Sequence, residues 1–232
     1  MTGLISLVTG ATSDIGTAIS HALADDGIHV VASGRNHDKL IHVMAGREGK
    51  IETISADLTD PKGIETTVKP ITSRFKRLDV LILGSGIYER SSDPDTFMRQ
   101  FTANVHGPYA LLQAVLPQLI GAKGLVVFIN STQGLAASPG VGQFAATQHA
   151  MRALADSLRA EVDPHGVRVT TIFLGRTATA RQEAIFAMER RPYYPERLIQ
   201  PRDVADLVIS LVKLPRTSEI MEIRMRPQLK SY

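Results

Sequence analysis

The first residues in this chain spaced for chemistry are Gly10 and Gly16, in the run Thr9-Gly10-Ala11-Thr12-Ser13-Asp14-Ile15-Gly16. A short apolar run, Leu4 to Thr9, precedes them. Ile15, Ala18, Ile19, Ala22 and Leu23 come next at the spacing of one helix face. The pattern predicts a strand, a glycine turn and a helix start. Gly10 permits the tight turn, and Gly16 lets the helix start lie close to the sheet. Backbone N–H groups and the helix dipole then face an anion, and a dinucleotide diphosphate suits such a turn. Thr12, Ser13, Asp14 and Ile15 complete the expected cradle. Asp14 has two readings: an N-cap with its carboxylate turned to its own helix, or a charge that weakens phosphate binding. A second group, Ser33-Gly34-Arg35-Asn36, ends the next strand-like run. An acid at that place would accept hydrogen bonds from a ribose 2′-OH. Gly34 stands there instead, and Arg35 comes after it. A guanidinium attracts the 2′-phosphate that an acid would repel, so the cofactor expected is NADP(H).

These groups need elements to hold them. Strand-like runs at Ile28–Ser33, Ile51–Ser55, Leu78–Leu83, Leu125–Ile129, Val167–Phe173 and Ile220–Met225 alternate with helical patterns. Asp38 is the expected cap of the second helix, and Pro61 opens the third. Asp95–Leu119 and Val141–Val162 read as two long helices, with shorter ones at Thr179–Met188 and Pro201–Lys213. Strands alternating with helices predict an α/β fold: a doubly wound parallel sheet of seven strands with helices on both faces. One dinucleotide-binding domain is expected over residues 1–232. The irregular segment at about 175–200, with Pro192, Tyr193, Tyr194 and Pro195, is a candidate substrate lid.

Composition narrows the chemistry. The chain has no cysteine, which excludes disulfides, thiolate catalysis and cysteine-held metals. Its histidines form no ligand-spaced pair or cluster with carboxylates, so no metal site is expected. Net charge is +3 with the signs interspersed, which gives no nucleic-acid or membrane signal and leaves a small-molecule substrate as the expected partner. No apolar run reaches the ~18 residues of a membrane helix. The opening Met1–Gly10 reads as a buried strand without a basic leader, so a cytoplasmic protein is expected.

From the glycine turn onward, nearly the whole chain resembles the short-chain dehydrogenase/reductase family, which implies a Rossmann-like fold. The family's TGxxxGxG is matched from Thr9 to Gly16, with Asp14 in the middle glycine position. By the same resemblance Asp57-Leu58 would contact adenine, and Thr179, in Leu174-Gly175-Arg176-Thr177-Ala178-Thr179, would hold the nicotinamide carboxamide. Leu174 there replaces a proline. Gly84, in Leu83-Gly84-Ser85-Gly86, stands where the family has paired asparagines, and the small residues still allow close approach to a ribose. Asn104 matches the family's helical asparagine and Ser131 its serine at the end of strand five. The family's Tyr-x-x-x-Lys is here Phe144-Ala145-Ala146-Thr147-Gln148.

That replacement removes a proton relay. In a carbonyl reductase the tyrosine hydroxyl protonates the developing alkoxide, and the ammonium beside it lowers its pKa. Phenylalanine has no proton to give and glutamine no charge, although Gln148 can still hydrogen-bond ribose hydroxyls. Tyr88, after strand four, is the first candidate for a substitute acid. Tyr193 and Tyr194 come next, and His106 and His149 lie on the long helices. Three functions remain open. One is an NADP(H)-dependent oxidoreductase acting on a carbonyl, iminium or conjugated alkene. The second is a non-redox isomerase, dehydratase or cyclase on the same scaffold. The third is a silent homologue serving as partner subunit or NADP(H)-binding protein. Family resemblance implies a homodimer or homotetramer.

Overall fold

Alternation along the strands decides the architecture. In β1 (Ile5–Thr9), Ile5 and Leu7 enter one apolar layer and Val8 the other. In β4 (Val80–Leu83), Leu81 and Leu83 oppose Val80 and Ile82 in the same way. Residues two apart share a face, so both faces of these strands are buried, as all-parallel sheets require. The computed structural model describes residues 3–229. It joins β1 and β4 with β2 (His29–Gly34), β3 (Ile51–Ser55), β5 (Leu125–Ser131), β6 (Arg168–Leu174) and β7 (Glu222–Met225). The seven strands run in the order β3-β2-β1-β4-β5-β6-β7 with every pairing parallel. The doubly wound, Rossmann-like sheet expected from the sequence is the one observed.

Helices cover both faces. On one side α1 (Asp14–Asp25), α2 (His37–Met44) and α8 (Pro201–Lys213) bring Ile19, Leu23, Leu40, Val43, Val204 and Val208 onto the sheet. On the other side α3 (Pro61–Lys69), α5 (Gly107–Ala122) and α6 (Gly142–Val162) bring Val68, Leu111, Val115, Met151 and Leu158. Strand order turns back between β1 and β4, and the crevice of such a sheet opens outside the carboxyl ends at that point. Thr9 ties the junction. Its buried hydroxyl donates to the Ile82 carbonyl at 3.2 Å and accepts the N–H groups of Gly84 and Ser85 at 3.1 and 3.3 Å. A threonine on β1 thus braces the β4 turn where paired asparagines are missing.

Three local readings are corrected. The long helix over Asp95–Leu119 is two helices: α4 (Pro94–Phe101), a wide π-helical turn at Thr102–His106, and then α5. Gly107 opens α5 against the loop after β3, where a Cβ would sit 2.4 Å from the Leu58 carbonyl oxygen. The second helix is capped by Asn36, whose Oδ1 accepts the Lys39 N–H at 2.8 Å; Asp38 lies inside the first turn. In α1 the N-cap is Ser13, whose hydroxyl accepts the Gly16 N–H at 3.1 Å, so Asp14 is free of that duty.

Candidate functional site

A cavity of about 390 Å³ opens at the carboxyl ends of the central strands. Its end at the start of α1, the candidate nucleotide side, is built from backbone. Gly10 (φ +69°) takes a left-handed turn, and a Cβ there would lie 2.6 Å from the Gly84 carbonyl oxygen. A Cβ on Gly16 would lie 2.2 Å from the Gly10 oxygen, so the start of α1 rests directly on the turn. Ser13, Asp14, Ile15, Gly16 and Gly84 line this end. Gly10, Thr12, Arg35, Asp57 and Leu58 do not line the cavity. Gly10 lies beneath it, and Arg35 and Asp57 lie just beyond the ends of β2 and β3, Arg35 exposed. Thr12 fills the space over Gly34, where a Cβ would meet its methyl at 2.8 Å. A side chain at position 34 would have to displace that methyl. Asp57 turns its carboxylate to the N–H and hydroxyl of Thr59, at 2.9 and 2.8 Å, while Leu58 is buried beneath.

Asp14 does not cap its own helix. Its carboxylate crosses the crevice and accepts the backbone N–H of Ala180 at 3.0 Å. Ala180 begins α7 (Ala180–Met188), which Thr179 caps by accepting the Gln182 N–H. A negative charge beside a helix N-terminus is favourable, so the two helix starts meet over one carboxylate. A second strap lies next to it: Arg181 donates to the Gly86 carbonyl at 2.7 Å. Arg181 is exposed as a residue, yet the protein around it partly desolvates its charge. That desolvation, then the like charge of Arg35, lowers its pKa, and Asp14 works against both. Arg181 is not visible as a site residue in the sequence, because nothing in a helix-start pattern says where a long side chain will reach.

At the reacting end Asn104, Ser131, Phe144, Gln148, Tyr88 and Thr179 line one wall. Asn104 is spent on structure. Its Oδ1 accepts the Ile87 N–H at 2.6 Å, and its Nδ2 donates to the Ile87 carbonyl at 2.9 Å and the Thr147 hydroxyl at 3.1 Å. It clamps the loop after β4 onto α6. Ser131 accepts the Gln133 N–H at 3.2 Å, leaving its hydroxyl hydrogen free to turn toward the cavity. Phe144 meets Tyr88 edge to face, with ring centroids 5.1 Å apart. Gln148 is buried, and its amide donates to Thr147 at 3.2 Å. Ser85 counts in the sequence only as a small residue. Its Oγ is buried on the cavity wall without a partner among the described residues.

Four candidate substitute acids do not line this cavity. His106 and His149 are exposed on its outer side, and His149 is bonded to the Ala145 carbonyl. Tyr193 packs edge-on against Phe186, and Tyr194 lies exposed beneath Arg197. Burial, and after it the carboxylates of Glu183 and Asp14, push the Tyr193 phenol above its usual pKa, which makes it a poorer proton donor. Among the described residues no group of three or more His, Asp or Glu side chains is gathered as a metal would need, and no helix is long and apolar enough to cross a membrane.

Comparison with known proteins shows the family of this fold. Residues 5–190 match the model of the short chain dehydrogenases. The glycine betaine reductase of Emericella nidulans is 30% identical over 240 residues, which take in 98% of this chain. This chain spans only 19% of that protein's length. An uncharacterized oxidoreductase of Staphylococcus epidermidis is 28% identical over 228 residues, covering 96% of each chain. Among solved structures, a metagenomic short-chain oxidoreductase in complex with NADP superposes with a TM-score of 0.84 at 27% identity, over 99% of both chains.

Proposed function

The chain belongs to the short-chain dehydrogenase family, and from that premise we propose that it is an NADP(H)-dependent oxidoreductase with a non-standard reacting end. One observation carries the cofactor assignment. At the end of β2 no acid is present: Gly34 stands there with Thr12 against it, and the next side chain is the exposed guanidinium of Arg35. The rest of the crevice fits the same molecule. The turn from Gly10 to Gly16 leaves amide groups at the start of α1 for a diphosphate. Gly84 lines the crevice where a ribose would lie, and the unpartnered Ser85 hydroxyl offers it a hydrogen bond. Gln148 supplies a second, and Thr179 stands at the place for the carboxamide. Asp57 and Leu58 border the adenine side. The bound nucleotide supplies or accepts the hydride.

The substrate side is limited by what the residues can and cannot do. Phe144 has no proton, and Asn104 has its side chain committed to Ile87 and Thr147. Ser131 orients a substrate oxygen or nitrogen, and Tyr88, beside Phe144, is the phenol nearest the reacting wall. Such a site suits an iminium or a conjugated alkene, where hydride delivery matters more than strong protonation. The residues at 175–200 serve as the substrate lid.

The test has two arms. Titration of NADPH and NADH by calorimetry should give micromolar binding of the first and much weaker binding of the second. Steady-state NADPH oxidation against ketones, imines and enones should show turnover in the latter two classes. Binding without turnover in any class would favour the silent nucleotide-binding homologue, and product formation without nucleotide consumption a non-redox enzyme.

A further inference from the structure

The cavity is lined by one exposed arginine, Arg90, that no protein group pairs among the described residues. Three arginines line the cavity, Arg90, Arg176 and Arg181, against two carboxylates, Asp14 and Glu189. Asp14 is taken by Ala180, and Glu189 is held by Arg176 at 2.9 Å and Arg191 at 3.5 Å. Arg181 is tied to Gly86. Arg90 alone of the three has neither a hydrogen bond nor an ion pair among the described residues. Its sequence neighbour Glu89 is paired with Arg99 at 3.1 Å, and Asp93 is spent on the Asp95 and Thr96 N–H groups at the start of α4.

Arg90 is nevertheless seated. Its guanidinium lies against Gly140, where a Cβ would come within 2.7 Å of one terminal nitrogen and 3.4 Å of the central carbon. Gly140 has φ +74°, a conformation that side chains rarely adopt, so the turn keeps that face bare for two reasons. The turn is itself pinned. Gln133 accepts the Ser138 N–H at 2.9 Å and donates to the Ser138 hydroxyl at 3.0 Å. The Phe144–Tyr88 ring pair and the Ser131 hydroxyl line the same cavity as this cation.

We propose that the cavity beside Arg90 binds a carboxylate carried on an apolar or aromatic body. The planar guanidinium takes the carboxylate through two parallel hydrogen bonds, the ring pair takes the body, and Ser131 faces the group between them. This rests on the reading of the cavity as a substrate site and adds the substrate's chemical class. Arg90 is a specificity residue in it, with no part in moving protons or hydride.

Phenylacetate and its neutral isostere phenylacetamide test the assignment by calorimetry, each titrated into the whole protein with and without saturating NADPH. Phenylacetate should bind about fivefold more tightly than the amide, the upper value for an ion pair at an exposed arginine. Arg90→Met keeps the aliphatic stem and should erase that preference, whereas Arg90→Lys should keep part of it. Gly140→Ala should weaken phenylacetate by displacing the guanidinium. Equal binding of the two probes, no binding of either, or a preference that survives Arg90→Met would overturn the proposal. Failure of NADPH to bind would instead count against the oxidoreductase reading, and the titrations without nucleotide would still decide the role of Arg90.

Discussion

The two ends of this cavity are built from different materials. The candidate nucleotide end is backbone: a left-handed turn at Gly10, the N-terminus of α1 and the bare wall at Gly84. The reacting end is individual side chains: Ser131, Phe144, Gln148 and Tyr88, each useful only through its own functional group. A backbone cradle tolerates changes in residue type as long as the glycines stay, because every residue except proline carries the same N–H. A proton relay tolerates none, because phenylalanine in place of a phenol removes the donor outright. One family frame can therefore keep its cofactor geometry while its chemistry changes.

The largest test of that contrast is to restore the relay. Phe144→Tyr with Gln148→Lys puts a phenol and an ammonium on one face of α6, one helical turn apart. If the frame is otherwise intact, NADPH-dependent ketone reduction should rise by about 10²–10⁴, the worth of a positioned general acid. Nucleotide affinity should change little by comparison. A double variant that binds NADPH and still leaves ketones untouched would place the fault elsewhere at the reacting end, with the Asn104 clamp the next suspect.

A smaller effect is expected at the cofactor end. Arg35→Met should weaken NADPH by roughly 10- to 100-fold, the range for a lost charge-assisted hydrogen bond. NADH should bind as before, since it has no 2′-phosphate. Gly34→Asp is the harsher companion, because its side chain must also displace the Thr12 methyl. Equal losses for both nucleotides with Arg35→Met would mean that the guanidinium supports the loop and does not read the phosphate.

Legibility in the sequence divides along the same line. The strands are legible as short apolar runs between helical patterns, and the turn at Gly10–Gly16 in its glycines. Ser131, Phe144 and Gln148 are readable only through the family resemblance, whose motif positions they occupy. Contacts between distant segments are not. Asp14 reaches a residue 166 positions away and Arg181 one 95 positions away, distances at which no local pattern acts. The break in Asp95–Leu119 is hidden for a related reason. Thr102–His106 holds weak helix formers but neither glycine nor proline to mark a break, and the bonds that Asn104 makes there run to Ile87 and Thr147, far off in sequence.

The last and smallest effect concerns that reach of Asp14. Its carboxylate holds the first N–H of α7 across the crevice that a diphosphate would enter. Asp14 is also the first residue of α1, beside the amides proposed for the diphosphate, so its charge opposes the nucleotide while it steadies the lid. An exposed charge at a helix N-terminus is worth about 0.3–1 kcal/mol, a factor of roughly two to five. Asp14→Gly, which restores the glycine expected there by family resemblance, should tighten NADPH by that factor. Amide hydrogen exchange at residues 180–183 should quicken at the same time in the nucleotide-free protein. Asp14→Asn keeps the size and loses the charge, so it should reproduce the gain in affinity with less loosening of the lid. Weaker NADPH binding in both variants would reverse the assignment: the carboxylate would then be pre-organising α7 for the nucleotide, and the backbone end of the cavity would depend on a side chain after all.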